Sequence, residues 1–376
     1  MLARSVPGPI PFDAVVFDLD GTLVATDRFW PDAARAGALR AFEELGISRA
    51  LPSQAEWMDL VGKPIEAGFD ALFPDLPAER RAHVRRRCVE AEHALLLEGR
   101  AGLLPGVSET LEGLRAAGVR TGIASNCGRD YLAAMLGDLG LGRWIDAARC
   151  LDSPGVEDKA DMIEDLLLVF GSRRAVMVGD RIGDRDAAWA NGLPHVHLAR
   201  GYAAAGERVE AEATIEGMDE LLPLLAARRR WLEALAADLD PAPGRPAGIT
   251  GGPASGKTLL AEDLAALTGA AVAGAAPGRG GPALDPNGRW IVEGDRLWEP
   301  EVRGRLGTVA FLSVSEAVVA RRIQGREGRA GGPGALAEAR ERLAEHAAAV
   351  AAHPPEAAAV RVVEASNPLS PGPSGP

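Results

Sequence analysis

Short apolar runs without polar alternation recur along the first half of the chain, at AVVF (14–17), VRTGIAS (119–125), AVMVGD (175–180) and HVHLA (195–199). Each is followed by turn residues and then by a stretch with helical spacing. Runs of this length fit strands buried on both faces, and their alternation with helices predicts a parallel α/β fold. Between the first and second runs, about residues 25–104 carry helical patterns such as PDAARAGALRAFEEL and AERRAHVRRRCVEAEHALLLEG and no strand pattern. This insert is expected to form a helical cap. After the helix pattern MDELLPLLAARRRWLEALAADL, the segment DPAPGRPAG concentrates proline and glycine and marks a boundary. A second α/β series follows, with strands predicted at AGIT (247–250), AAVAG (270–274), WIVEG (290–294), VAFLSV (309–314) and VRVVEA (360–365). The pattern divides the chain into a first domain over 1–225, a linker over 226–246, a second domain over 247–365 and a disordered tail over 366–376. No internal repeat is visible.

Bulk properties narrow the class. A chain of 376 residues exceeds what one hydrophobic core usually holds, which agrees with two domains. No apolar run approaches the roughly 18–20 residues that span a bilayer, and the N-terminal stretch MLARSVPGPIPFDAVV lacks a secretory core, so a cytoplasmic protein without membrane contact is expected. Cys88, Cys127 and Cys150 are odd in number and widely spaced, which suggests packing residues rather than a disulfide framework or a metal site. A net charge of −12 disfavours a nucleic-acid partner. Lysine usage is more telling: among 41 basic residues only Lys63, Lys159 and Lys257 are lysines. A chain that uses arginine almost everywhere keeps lysine where a compact ammonium is required.

Asp18 and Asp20 stand two apart at the end of a predicted strand, so their side chains can leave on one side while Leu19 points the other way. Ser125, Asn126, Asp180 and Asp184 lie at or just beyond the ends of two further strands, the edge at which parallel sheets place ligands. Lys159 opens the helix pattern DKADMIEDLLLVF and can reach that edge as a counter-charge. In order, FDLDGTLV, GIASN, DKADMI and VMVGDRIGDRDAAWANG resemble the four motifs of the haloacid dehalogenase superfamily over roughly residues 12–225, and the inserted cap resembles that of its phosphoglycolate phosphatase-like branch. The resemblance implies a Rossmann-like core and a Mg²⁺-dependent phosphomonoesterase acting on a small phosphorylated substrate. Asp18 would be the nucleophile that forms an aspartyl-phosphate, and Asp20 the acid and base. Mg²⁺ would be held by Asp18, the backbone carbonyl of Asp20 and Asp180, with Asp184 holding the metal shell. Ser125, the amide of Asn126 and Lys159 would hold the phosphoryl oxygens. Lys63 is the one cap lysine: it is a substrate contact, a Schiff-base lysine as in a phosphonate hydrolase, or an ordinary loop charge. A phosphomutase would use the same residues while excluding water.

A second signature lies downstream. GGPASGKT (251–258) fits G-x-x-x-x-G-K-[ST] through Gly251, Gly256, Lys257 and Thr258, between a predicted strand and a predicted helix. Such a loop turns backbone amides onto phosphate oxygens, Lys257 reaching the outer phosphates of ATP or another nucleoside triphosphate and Thr258 ligating Mg²⁺. Residues 245–365 resemble small-molecule P-loop kinases of the uridine kinase-like type. WIVEGDRLW resembles their acidic third strand, with Glu293 or Asp295 to hold Mg²⁺ water or orient an acceptor, and VSEAVVARRIQGREGR resembles their arginine-bearing lid, with Arg321, Arg322, Arg326 and Arg329 as candidates to stabilise the transferring group. One departure stands out: the acceptor-binding segment AVAGAAPGRGGPALDPNGR holds a single acid, Asp285. Three functions follow as expectations: a bifunctional phosphatase and kinase acting on small metabolites or nucleosides, a phosphatase with a nucleotide-sensing domain, or a polynucleotide end-processing enzyme, against which the acidic charge argues. Nothing in the sequence fixes the oligomeric state.

Overall fold

In the computed structural model, the structure describes residues 10–204, 206–275, 284–295, 297, 299–315, 318–320, 322–323, 332–352, 361–364 and 369. Its contacts divide the chain into two units. One comprises Ala14–Asn191 and His195–Leu221; the other comprises Leu222 onward, Gly192–Pro194 and the segment ending at Asp13.

The first unit is built on six parallel strands: β1 (Ala14–Phe17), β2 (Arg120–Ser125), β3 (Ala147–Cys150), β4 (Ala175–Gly179), β5 (His195–Leu198) and β6 (Ala213–Ile215). Their order is β3-β2-β1-β4-β5-β6. β1 and β4 are buried along their whole length, as central strands of a parallel sheet covered on both faces must be. Four helices form the insert that follows β1: α1 (Trp30–Leu45), α2 (Gln54–Met58), α3 (Ile65–Leu72) and α4 (Ala78–Leu97). Their common core is aromatic. The rings of Trp57 and Phe73 lie 5.9 Å apart, and those of Trp30 and Trp57 meet edge to face at 6.4 Å. α1 approaches α4 closely because position 37 is glycine, where a Cβ would collide with the backbone of Arg87 and Cys88. The Cys88 thiol donates to the carbonyl of Ala34 at 3.3 Å, an inward packing role. Helices α5 (Val107–Ala116), α6 (Arg129–Asp138), α7 (Lys159–Phe170) and α8 (Ile182–Ala190) complete the crossovers. β3 and β6 escape the sequence reading because AARC and ATI are short and only partly buried.

The second unit begins with α9 (Leu221–Leu239) and carries five parallel strands, β7 (Ala247–Gly251), β8 (Ala271–Gly274), β9 (Trp290–Gly294), β10 (Val309–Ser313) and β11 (Arg361–Glu364), in the order β11-β10-β7-β9-β8. α10 (Lys257–Thr268), α11 (Pro300–Arg303) and α12 (Gly332–Ala352) are its other helices among the described residues. Residues 226–239, read from the sequence as linker, are helical. Leu232, Leu235 and Leu239 of α9 pack with Ile249, Leu264 and Ile291 in the core of this unit, so the apolar face, not the downstream Pro/Gly segment, decides where the stretch belongs. Phe12, read as part of the first domain, lies under the guanidinium of Arg228 at 5.3 Å. Among the described residues no helix is long and apolar enough to cross a membrane.

Candidate active site

The strand order reverses direction on either side of β1, which pairs with β2 on one edge and β4 on the other. A crevice therefore opens beyond the C-terminal end of β1, where Asp18 and Asp20 emerge. The amide of Asp18 still donates to the carbonyl of Val178 at 2.9 Å, after which the chain turns tightly, with the amides of Leu23 and Val24 both bonding Leu19 O at 2.9 Å. Gly21 makes that turn possible: its φ is +81°, and a Cβ there would lie 2.6 Å from Asp180 Oδ2.

Lys159, the first residue of α7, is set by an N-terminal box in which Asp158 accepts from the amide of Asp161 at 2.9 Å. Its buried ammonium donates to Asp18 Oδ1 and to Asp184 Oδ1, each at 2.6 Å. Asp184 is aimed by its other oxygen, which accepts from the amide of Arg181 at 2.9 Å. Asp180 accepts from the hydroxyl of Thr22 at 3.2 Å and from the amide of Tyr202. Carboxylate oxygens of Asp18, Asp180 and Asp184 all lie within 4.8 Å of one another, and all three residues are buried. Three carboxylates against one ammonium leave two negative charges unbalanced. Burial accordingly pushes Asp18 well above the ordinary carboxylate range despite Lys159, and burial followed by the charge of Asp184 pushes Asp180 up to about 7. For Lys159, burial favours the neutral form, but Asp18 and Asp184 outweigh it and hold the ammonium charged. A donor set of this charge and hardness fits a divalent cation such as Mg²⁺. Asp18 Oδ2 is buried without a hydrogen-bond partner, so its lone pairs are not committed to a protein donor.

Asp20 is held apart from this cluster. Its Oδ1 accepts from the hydroxyls of Thr26 and Tyr131, each at 2.6 Å. Burial raises its carboxyl, and the two hydroxyls pull against that rise. Asp20, Ser125, Asn126 and Lys63 all line one cavity of about 300 Å³ between the cap helices and the end of the sheet. Asn126 Nδ2 donates to the carbonyl of Gly62 in the cap at 2.9 Å, so its side chain ties the sheet edge to the cap. Arg181 does the same through Val61 O at 2.6 Å while paired with Glu207 at 3.0 Å. Lys63 faces the cavity but is exposed and ion-paired with Asp59 at 2.7 Å. Thr26, Tyr131 and Arg181 were not singled out in the sequence; each reaches the site from a segment whose role appears only once the chain is folded.

The glycine-rich loop of the second unit joins β7 to α10. Gly251 has φ +152° and Gly256 φ +91°, and a Cβ at Gly251 would stand 2.7 Å from Leu312 O. Lys257 Nζ donates to the carbonyls of Gly251 and Gly252 at 3.0 and 2.7 Å and pairs with Asp295 at 2.8 Å. Thr258 donates to Glu293 at 2.8 Å, and Arg342 of α12 pairs with Asp295 at 2.9 Å. Burial would raise the Asp295 carboxyl, yet Lys257 and Arg342 hold it below the usual range. Arg322 Nη1 donates to the carbonyl of Ala254, within the loop, at 3.2 Å. Arg321, Arg326 and Arg329 lie outside the described residues.

Comparison with known proteins covers the first of the two units. A family model described as haloacid dehalogenase-like hydrolase matches residues 12–192. A phosphoglycolate phosphatase of Salmonella choleraesuis (strain SC-B67) is 30% identical over 236 residues, covering 56% of this chain and 91% of the relative. One of Escherichia coli (strain K12) is 27% identical over 238 residues, with the same coverages. Among solved structures, a predicted phosphoglycolate phosphatase from Haemophilus somnus 129pt superposes with a TM-score of 0.50 at 22% identity, covering 57% of this chain and 98% of that one. The chain belongs to the haloacid dehalogenase-like hydrolases, as a phosphatase of the phosphoglycolate phosphatase-like kind.

Proposed function

We propose that the first unit is a Mg²⁺-dependent phosphomonoesterase that works through a phosphorylated Asp18, and that the second unit binds a nucleoside triphosphate at Gly251–Thr258. The observation that carries the first part is the ammonium of Lys159 bridging Asp18 and Asp184, with Asp180 beside them and Asp18 Oδ2 unpaired. In the first step Asp18 bonds to phosphorus as the ester P–O bond breaks, and Asp20 gives its proton to the departing alcohol. In the second, water attacks the acyl phosphate and Asp20 takes its proton. The P–O bond to Asp18 then breaks and inorganic phosphate leaves. Lys159, Ser125 and the amide of Asn126 hold phosphoryl oxygens as charge spreads over them. Asp18, Asp180 and the carbonyl of Asp20 would hold Mg²⁺, with Asp184 steadying its shell, and the ion would supply positive charge against the phosphate dianion. Phosphoglycolate, named for the relatives, is the first substrate to try.

Nucleotide binding is supported by the positive-φ glycines, by Lys257 lying over the loop and by Thr258 beside Glu293. Two readings of that binding stay in contention. The acids Glu293 and Asp295 beside the loop favour phosphoryl transfer to a small acceptor; the single acid of the acceptor segment, Asp285, favours a nucleotide sensor. The Asp18→Asn chain, which cannot erase a phosphorylated product, is incubated with γ-labelled ATP, Mg²⁺ and a panel of nucleosides, sugars and oligonucleotides. We expect this variant to lose phosphate release at least a thousandfold while remaining folded by circular dichroism; near-normal turnover would remove Asp18 from the chemistry. A labelled small molecule identifies a kinase, a labelled oligonucleotide an end-processing enzyme, and ATP binding without transfer a sensor.

A further inference from the structure

The cavity beneath the cap is lined by a half-buried carboxyl that the chemistry above does not use. Glu92, on α4, lines it together with the apolar side chains of Trp30, Leu60, Val61, Ile65 and Val89. Every cation on the same wall is already engaged. Lys63 is paired with Asp59 at 2.7 Å and Arg85 with Glu66. Arg129 donates to the carbonyl of Asp152 at 2.5 Å, and its amide donates to the carboxylate of Asp152 at 2.8 Å. Among the described residues no hydrogen bond or ion pair reaches Glu92. Burial pushes its carboxyl up to about 8, with the charge of Asp20 adding to the rise. A half-buried carboxyl in apolar surroundings lacks the solvation it had in water, and a ligand hydroxyl can restore it. A ligand carboxylate brought to the same place would meet the same burial and the same charge of Asp20 that hold Glu92 in its neutral form, whereas a neutral hydroxyl would not. The volume points the same way: about 300 Å³ corresponds to on the order of ten waters, more than a two-carbon leaving group fills.

We propose that the substrate is a phosphate monoester of a sugar or polyol, one of whose hydroxyls hydrogen-bonds Glu92, and that Glu92 selects it over phosphoesters whose leaving group bears a carboxylate. This rests on the reading of the Asp18 site as a phosphomonoesterase, so the test includes a measurement that needs no turnover. Calorimetric affinities of the Asp18→Asn chain are compared for phosphoglycolate, phosphoethanolamine, glycerol phosphate and tetrose, pentose and hexose phosphates, alongside kcat/KM of the wild-type chain. At least one polyol or sugar phosphate is expected to exceed phosphoglycolate by tenfold or more in both. Glu92→Leu is expected to bring that ratio to about one, and Glu92→Gln, which keeps a neutral hydrogen-bonding group, to preserve it. Phosphoglycolate or phosphoethanolamine as the preferred ligand would overturn the proposal, as would a ratio unchanged in Glu92→Leu. Selective binding without hydrolysis would instead retain Glu92 as the selector and overturn the hydrolytic reading. Removing an unpartnered carboxyl costs the fold little, and the wild-type preference is informative without any variant.

Discussion

Asp20 has two protonation states to visit in the proposed reaction, and two hydroxyls decide how readily it does so. Both bonds, from Thr26 and Tyr131 at 2.6 Å, favour the ionised carboxylate against a burial that disfavours it. Tyr131→Phe removes one bond to a charged group, worth about 1.5–3 kcal/mol. We expect kcat to fall roughly ten- to a hundredfold. The sign of the pH effect follows: losing a bond that favours the ionised form raises the carboxyl, so both limbs of the kcat profile move to higher pH. A profile that keeps its limbs while kcat drops would mean that Tyr131 acts by packing alone. At this scale the sequence was legible where chemistry sits beside a strand end. Asp18, Asp20, Asp180 and Asp184 could be named from their spacing and motifs, because a parallel sheet brings strand ends together. Tyr131, Arg181 and Glu92 could not. A tyrosine in a helix, an arginine after a strand and a glutamate among the charges of AERRAHVRRRCVEAEH carry no mark until folding sets them against Asp20, Val61 and the cavity.

Elements were legible in proportion to how fully they are buried. β1 and β4, buried on both faces, read as apolar runs, whereas β3 and β6 lie toward the two edges of the sheet and carry polar residues that hide them. α9 shows the converse error: its helical pattern was evident, but the following Pro/Gly segment drew the boundary into it. What fixes α9 to the second unit is Leu232, Leu235 and Leu239, reinforced by a buried pair between Arg228 of α9 and Asp263 of α10 at 2.5 Å. Both side chains are almost wholly inaccessible, so removing one partner breaks a buried ion pair. Arg228→Ala is expected to destabilise this unit by about 3–5 kcal/mol. The measurement is urea unfolding followed by tryptophan fluorescence, with Trp231 and Trp290 as reporters in this unit. Arg228→Met combined with Asp263→Leu should recover most of the loss, since apolar groups of similar volume replace both buried charges. Stability as low in the double variant as in the single one would assign the cost to the stacking of the Arg228 guanidinium on Phe12 and Trp231 instead.

For the whole molecule, the question is whether one chain answers to two ligands, and linkage makes that measurable without knowing either substrate. A ligand that binds only the folded chain stabilises it by RT ln(1 + [L]/Kd), about 2.7 kcal/mol at a hundredfold excess over Kd. The Asp18–Asp180–Asp184 cluster carries an unbalanced negative charge that a divalent cation relieves, so Mg²⁺ alone should raise the unfolding temperature. In Asp180→Ala one carboxylate is lost, the remaining cluster is less repulsive, and the Mg²⁺ response should shrink severalfold. In the proposed reading ATP binds elsewhere, at a loop where Lys257 rests on two carbonyls and on Asp295. Nucleotide must draw Lys257 away from that carboxylate, and Lys257→Ala leaves its phosphates without the ammonium. The variant is therefore expected to lose most of the stabilisation by ATP measured without added metal and to keep the full Mg²⁺ response, with phosphoester hydrolysis unchanged. If each substitution removes only its own response, the chain holds two separate binding sites. If Lys257→Ala leaves the ATP response intact, the glycine loop has the form of a phosphate cradle without that use, and the first unit alone accounts for the chemistry.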